Sequence, residues 1–330
     1  SGVDTHTETD STATTVTTLT TATGGVTLSE SGVVLCDDPA LRASLGPMFS
    51  PDLGAEWDAQ LTGTRWPEDK ITTLAPSFGL SVADFNDDGW LDVFLPMFGP
   101  NELYFGNKKG TLFNVTDEYL LESKAVEKIE SKEVERSEGS VAADLDNDGD
   151  LDLLVLNRGI NTLYYNDGLG HFTRGKDPFG GVYSEAMGAA IGDINRDGFL
   201  DIVTANRQEF VGGIVESGEP NELLFGSESG FLYAKDWLPK ETNTGYTFLS
   251  SIVDIDADGW PDVYILNDFS TNIINSVPNI MLRNRGDKGP PFDDVSAATF
   301  TGLQVQSMGV GIGDINGDLL PDFVISNLFD

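Results

Sequence analysis

Asp144-Leu-Asp-Asn-Asp-Gly-Asp-Leu-Asp152 sets five aspartates within nine residues. Four other stretches repeat it: Asp84-Phe-Asn-Asp-Asp-Gly-Trp-Leu-Asp92, Asp193-Ile-Asn-Arg-Asp-Gly-Phe-Leu-Asp201, Asp254-Ile-Asp-Ala-Asp-Gly-Trp-Pro-Asp262 and Asp314-Ile-Asn-Gly-Asp-Leu-Leu-Pro-Asp322. Positions 1, 5 and 9 are always Asp and position 3 is Asp or Asn. Position 6 is Gly except in the fifth stretch, which has Leu319. The starts lie 60, 49, 61 and 60 residues apart. Self-similarity at such a period marks a repeat architecture, in which each unit is one supersecondary element.

The flanks repeat as well. Before each loop runs a small-residue apolar stretch: GLSVADF, GSVAADL, GAAIGDI, SSIVDI, GVGIGDI. After it comes a β-branched or aromatic one: VFLPM, LLVLN, IVTAN, VYILN, FVISN. Both predict strands buried on both faces, with Gly and Ala leaving room for a neighbouring sheet. A third strand follows at Asn101, Asn161, Asn221 and Asn279, then a glycine turn and a fourth. The third and fourth units carry extra residues near 206–220 and 268–278. Four short antiparallel strands cannot cover both of their own faces. Radial packing of many such sheets does, and it leaves few exposed edges. The expected fold is therefore all-β, a β-propeller of four-stranded antiparallel blades. A linear solenoid is the alternative, though its repeats run shorter.

Carboxylates this close repel one another unless a cation lies among them. Side chains at positions 1, 3 and 5 of a tight loop converge, position 7 offers a carbonyl, and position 9 a last carboxylate. An all-oxygen set selects a hard cation, Ca²⁺ ahead of Mg²⁺. An EF-hand is excluded. It needs flanking helices and a Glu at position 12, where this chain has Leu95, Val155, Thr204, Ile265 and Ile325 inside a predicted strand.

The loops resemble the calcium-binding FG-GAP/VCBS-type repeats of integrin α-chain propellers. The N-x-L-Y-x-N and G-x-F elements are similar to the bacterial repeat family that includes cartilage acidic protein. The resemblance covers residues 76–330. It implies a seven-bladed ring in the complete assembly, about five blades of it in this chain, with the loop bridging the first two strands of a blade. Carried over by position, it implies about five Ca²⁺ sites. The first has Asp84, Asn86, Asp88, the Trp90 carbonyl and Asp92. The second has Asp144, Asp146, Asp148, the Asp150 carbonyl and Asp152. The third has Asp193, Asn195, Asp197, the Phe199 carbonyl and Asp201. The fourth has Asp254, Asp256, Asp258, the Trp260 carbonyl and Asp262, and the fifth Asp314, Asn316, Asp318, the Leu320 carbonyl and Asp322. Leu319 departs from the pattern, so a strained turn or a weaker site is expected there.

Composition bounds the function. The chain has 330 residues, 54 acidic against 19 basic, and a net charge of −35. Nucleic acid needs a basic footprint and is excluded as a partner, and anionic membrane surfaces are disfavoured. Cys36 alone allows no internal disulfide and no zinc site of four cysteines. His6 and His171 are the only histidines, and no GxSxG or Walker-type phosphate loop occurs, so catalytic candidates are few. No apolar run reaches the ~18 residues of a membrane span.

Residues 1–25, eleven of them Thr, read as a disordered tail or linker, or as the spacer behind a lipid anchor. Residues 26–75 are expected to cap the propeller or add strands to it. Residues 119–136 read as a solvated connector helix with a Lys/Arg stripe. Arg285-Gly286-Asp287 falls on a glycine turn where Gly and Asp are expected anyway. Asn114-Val115-Thr116 is a sequon at a strand end. The start at Ser1 suits a mature or trimmed chain. The functional expectation is an exported calcium-binding β-propeller, extracellular, cell-surface or periplasmic, acting as a protein-interaction or adhesion scaffold and not as an enzyme. A protein partner or further chain completes the ring, and a glycan is a further candidate partner. The alternatives are a structural subunit of a surface layer or filament, and a Ca-dependent carbohydrate-active or phospholipase-type enzyme.

Overall fold

The computed structural model describes residues 79–97, 99–120, 137–176, 178–179, 184–207, 220–234, 236–239, 245–268 and 277–327, with strands at 18–21, 24–28 and 34–35. The chain divides into two compact units, residues 1–73 with 314–319 and residues 74–313 with 320–330. In the first, β1 (Thr18–Thr21), β2 (Gly24–Leu28) and β3 (Val34–Leu35) form an antiparallel sheet in that order. Part of the 1–25 segment read as a disordered tail is thus paired strand. Thr is β-branched and suits an extended backbone. Residues 1–17 lie outside the described residues.

The second unit is a series of antiparallel blades, one per repeat, with the second and third joined into one eight-stranded sheet where Ser184 and Glu185 pair with Gly159 and Arg158. The first blade holds β4 (Ser81–Ala83), β5 (Asp92–Leu95), β6 (Glu102–Phe105) and β7 (Phe113–Asn114), followed by a one-turn helix α1 (Thr116–Tyr119). The second holds β8 (Ser137–Ala143), β9 (Asp152–Gly159), β10 (Thr162–Asn166) and β11 (Phe172–Arg174). The third holds β12 (Ser184–Gly192), β13 (Asp201–Asn206), β14 (Leu223–Phe225) and β15 (Leu232–Tyr233). The fourth holds β16 (Thr247–Val253), β17 (Asp262–Asn267), β18 (Ile280–Arg283) and β19 (Asp293–Asp294). The fifth repeat contributes β20 (Ser307–Gly313) and β21 (Asp322–Asn327). Every blade runs up and down in chain order, and each acidic loop bridges its first two strands.

The first strands of successive blades lie side by side, β4 by β8, β8 by β12, β12 by β16 and β16 by β20. That is the arrangement of inner strands around a propeller axis. Small residues make it possible: a Cβ on Gly188 would sit 3.0 Å from the Phe248 carbonyl oxygen of the next blade. Second strands carry the core. β13 and β17 are buried along their whole length, with Ile202 and Val203 beside Leu224 and Leu223, and Val263 beside Leu282. Val203 packs in one cluster with Val263 and Ile265 of the next blade and Ile202 in another with Leu154 and Leu156 of the blade before, so alternate residues meet different blades and the strand reads as a continuous apolar run.

The N-x-L-Y element has a structural cause. Asn101, Asn161, Asn221 and Asn279 are buried, and each side-chain oxygen accepts the backbone N–H of Met97, Asn157, Asn206 or Asn267 at the end of the second strand. Three of them also donate across to the next blade: Asn161 to the Ser184 hydroxyl (3.3 Å), Asn221 to Thr247 (3.0 Å) and Asn279 to Ser307 (2.9 Å). His171 stacks on Tyr119 at 4.5 Å and lies 3.1 Å from Asp167, a packing role. Among the described residues no helix is long and apolar enough to cross a membrane. The segments 121–136, 208–219 and 269–276, which hold most of the expected connector helix and both extra loops, lie outside the described residues.

Candidate metal centres

The first four acidic loops share one wiring scheme. The carboxylate at position 1 accepts two backbone N–H groups, from positions 5 and 6. In the first loop Asp88 and Gly89 donate to Asp84 at 3.1 and 2.7 Å, and in the third Asp197 and Gly198 donate to Asp193, both at 3.0 Å. The second and fourth do the same through Asp144 and Asp254. The position-5 carboxylate then accepts the N–H of position 7: Trp90, Asp150, Phe199 or Trp260. This curls the backbone tightly, and position 4 takes a left-handed φ in all four: Asp87 (53°), Asn147 (61°), Arg196 (61°) and Ala257 (56°).

Position 9 behaves differently. Asp92, Asp152, Asp201 and Asp262 are fully buried. One oxygen accepts the N–H of position 2, from Phe85, Leu145, Ile194 or Ile255 at 2.7–2.9 Å. The other accepts an N–H at the end of the third strand or just past it, from Gly106, Asn166, Gly226 or Asn284 at 2.7–2.9 Å. The residue expected only as a last ligand is also the pin that holds loop to blade. Burial pushes Asp152 and Asp201 up to about 7 and Asp262 up to about 6, against the pull of those backbone bonds. Asp92 is raised for the same reason.

Two loops bring three carboxylates together. In the second, oxygens of Asp144, Asp146 and Asp152 lie within 4.8 Å of one another, and in the fourth those of Asp254, Asp256 and Asp262 do. These are positions 1, 3 and 9. Position 5 (Asp148, Asp258) stands outside both groups and spends an oxygen on position 7. In the first and third loops position 3 is Asn86 or Asn195, whose side-chain oxygen accepts the position-5 N–H. The donor chemistry fits a hard divalent cation. All the side-chain groups offer oxygen, and the buried position-9 carboxylate is costly to ionise unless a positive charge compensates it.

The fifth loop keeps the wiring with altered residues. Asp318 and Leu319 donate to Asp314 at 3.1 and 2.9 Å, and Asp318 donates to the Asn316 side chain at 2.9 Å. Glycine sits at position 4 (Gly317, φ 80°) and Leu319 at position 6, with φ 68° and its side chain exposed. The strain expected at Leu319 is therefore present. Leu320 follows it on the turn, and Asp322 opens β21.

Neighbouring loops also touch, which the sequence did not suggest. Asn147 donates to the Gly198 carbonyl at 2.8 Å, and the Arg196 guanidinium lies 5.2 Å from the Trp260 ring centroid. Asp150 has a raised pKa from local desolvation first, then from Asp148, Asp144 and Asp167, and also from Asp87 of the first loop. Asn166 donates to the Phe85 carbonyl and Asn284 to that of Ile194, each tying a third strand to the loop of the blade before.

Three solved structures are similar in fold. The V. cholerae biofilm matrix protein Bap1 is 16% identical with a TM-score of 0.40, over 74% of this chain and 34% of that one. A GH43 β-1,3-galactosidase is 15% identical with a TM-score of 0.37, over 64% and 73%. A lectin of Agrocybe aegerita that recognises terminal N-acetylglucosamine is 16% identical with a TM-score of 0.38, over 75% and 56%. The chain spans about a third of the length of the first of these. No curated protein sequence matches it. The FG-GAP-like repeat family matches residues 144–204, which contain the second and third loops, and 254–325, which contain the fourth and fifth. Over those two stretches the chain consists of FG-GAP-like repeats.

Proposed function

We propose that the protein is an exported calcium-binding β-propeller that works as an interaction or adhesion scaffold. Convergence of positions 1, 3 and 9 in the second and fourth loops carries this reading. Three oxygens of one sign within 4.8 Å suit a divalent cation, and their flexible all-oxygen set suits Ca²⁺. About five ions are expected, with position 5 swinging inward when the ion arrives. Bound at the hairpin between the first two strands, each ion clips a blade. The rigid disc then presents its connecting loops to an extracellular, cell-surface or periplasmic partner. The reading includes no catalytic step.

Calorimetry on chelator-stripped protein tests it. Exothermic or endothermic Ca²⁺ binding is expected, with dissociation constants of roughly 10⁻⁴ to 10⁻³ M or tighter. Absence of heat at millimolar Ca²⁺ removes the proposal. A double variant, Asp144→Asn with Asp254→Asn, is expected to lose the ions of those two loops and keep the rest.

A further inference from the structure

Two seams between blades differ at the same pair of repeat positions. Arg158, six residues past Asp152, pairs across the seam of the second and third blades with Glu185, eight residues before Asp193. The same positions at the seam of the fourth blade and the fifth repeat hold Asp268 and Gln306, which form an antiparallel bridge. At the first seam the charges balance. Arg158 and Arg207 form ion pairs with the buried Glu138 and Glu185, at N···O separations of 3.0–3.6 Å. At the second seam a carboxylate stands in the place of the guanidinium, and a carboxamide in the place of its partner.

Asp268 Oδ1 and Gln306 Oε1 are both shut off from solvent, and neither meets a hydrogen-bond donor. The Asp268 N–H is bound to the Tyr246 carbonyl at 2.8 Å, so the backbone is held and the side chain is left over. Gln306 precedes Ser307, which is fully buried and donates to Asn279. Partners in an antiparallel bridge carry their side chains on one face, with Cβ atoms about 5 Å apart, so one bound group can reach both oxygens. Burial raises the Asp268 carboxyl above its ordinary value, and among the described residues no hydrogen bond or positive charge pulls it back. A buried carboxylate is costly unless an opposite charge compensates it, and native structures leave few such oxygens without a partner.

We infer that Asp268 and Gln306 hold a small monovalent cation, Na⁺ or K⁺, at the end of β17 opposite the fourth acidic loop. The ion stands where the second blade places a guanidinium. Both donors are oxygens, which suits a hard cation, and together they carry a single negative charge. Ca²⁺ takes about six to eight oxygens and binds more tightly as carboxylates are added, so one carboxylate and one amide match a monovalent ion better. A net charge of −35 concentrates cations around the chain. Bound there, the ion ties the fourth blade to the fifth repeat. The inference does not rest on the calcium reading.

The test melts the Ca²⁺-saturated full chain at about pH 8 in NaCl, KCl or choline chloride of equal ionic strength. Na⁺ or K⁺ is expected to raise the melting temperature by about 3 °C over choline, whose cation is too large for the site. The larger of the two shifts names the ion. Asp268→Asn removes the charge and is expected to lose this dependence while binding Ca²⁺ as before. The double variant Asp268→Arg with Gln306→Glu copies the pair of the first seam onto the second, and it is also expected to melt alike in all three salts. Two results overturn the inference. One is a native melting temperature equal in all three salts, which leaves a water or a proton on the two oxygens. The other is an Asp268→Asn protein that keeps the native dependence, which puts the cation in the acidic loops. If the double variant fails to fold, the native protein and Asp268→Asn still decide.

Discussion

The second and fifth loops have the same Asp spacing and nearly the same hydrogen bonds, yet their glycines differ. In the second, Asp144 draws in the N–H groups of Asp148 and Gly149, and Gly149 takes φ 99° at position 6. In the fifth, Asp314 draws in those of Asp318 and Leu319, and Leu319 takes φ 68° at the same position. The carboxylate at position 1 therefore imposes the left-handed turn, and the residue at position 6 accepts it at low or high cost. Position 9 differs as well: Asp152 is fully buried, while Asp322 is half-buried. The second loop is an integral part of a blade core, and the fifth is a similar loop with a weaker anchor.

The largest test of this contrast is metal removal. Ligands that bind only the folded chain stabilise it through linkage, so chelation is expected to lower the melting temperature strongly. An unchanged melting curve in chelator means that the loops are not clips. The pH trend should sharpen the point. In chelator the folded pKa values of Asp152 and Asp201 (about 7) and of Asp262 (about 6) lie above the model-compound value of 3.8. Folded protein then holds protons that the unfolded chain releases, so stability contributed by these groups is full below about pH 4 and lost as pH rises towards 7. The melting temperature of chelated protein should fall between pH 5 and pH 8, and Ca²⁺ should abolish or reverse that slope. A rise with pH in chelator refutes the burial argument.

Substitution of the pin comes next. Asp152→Ala strands two buried backbone N–H groups, from Leu145 and Asn166, and is expected to cost about 3 kcal/mol in urea melts. Asp322→Ala should cost less, about 1 kcal/mol. Equal losses would dissolve the contrast between the loops. The glycine exchange is a smaller effect of opposite sign. Leu319→Gly should stabilise by about 1 kcal/mol, because the left-handed region is costly for a residue with a Cβ. Gly149→Leu should destabilise by a similar amount or more.

Much of this was legible in the sequence. The five loops, the two strands around each and the third strand at Asn101, Asn161, Asn221 and Asn279 follow from spacing and apolar runs, because both faces of a blade are covered. The Leu319 strain was legible because a single glycine was displaced. Other features were not. That Asp152 is a buried pin depends on the Asn166 N–H, fourteen residues away. In the Glu138–Arg158–Glu185–Arg207 cluster the arginines share one repeat position, six residues past Asp152 and Asp201, but the glutamates stand six and eight residues before Asp144 and Asp193, and Glu138 and Arg207 are 69 residues apart. Contacts set by blade-to-blade packing leave no local pattern to read.

The position-4 side chains overlap the loop ahead of them like shingles on a roof. Asp87 faces Asp150, like charge against like; Asn147 hydrogen-bonds Gly198; Arg196 lies against Trp260. Each course covers the turn of the next, and the cover improves along the chain. Shingled layers weather from the exposed course inward. Amide exchange at the turn glycines should therefore slow in order, with Gly149 fastest, Gly198 slower and Gly259 slowest. Trimming Arg196 to Ala should bring Gly259 back towards Gly198 while leaving Gly149 as it was.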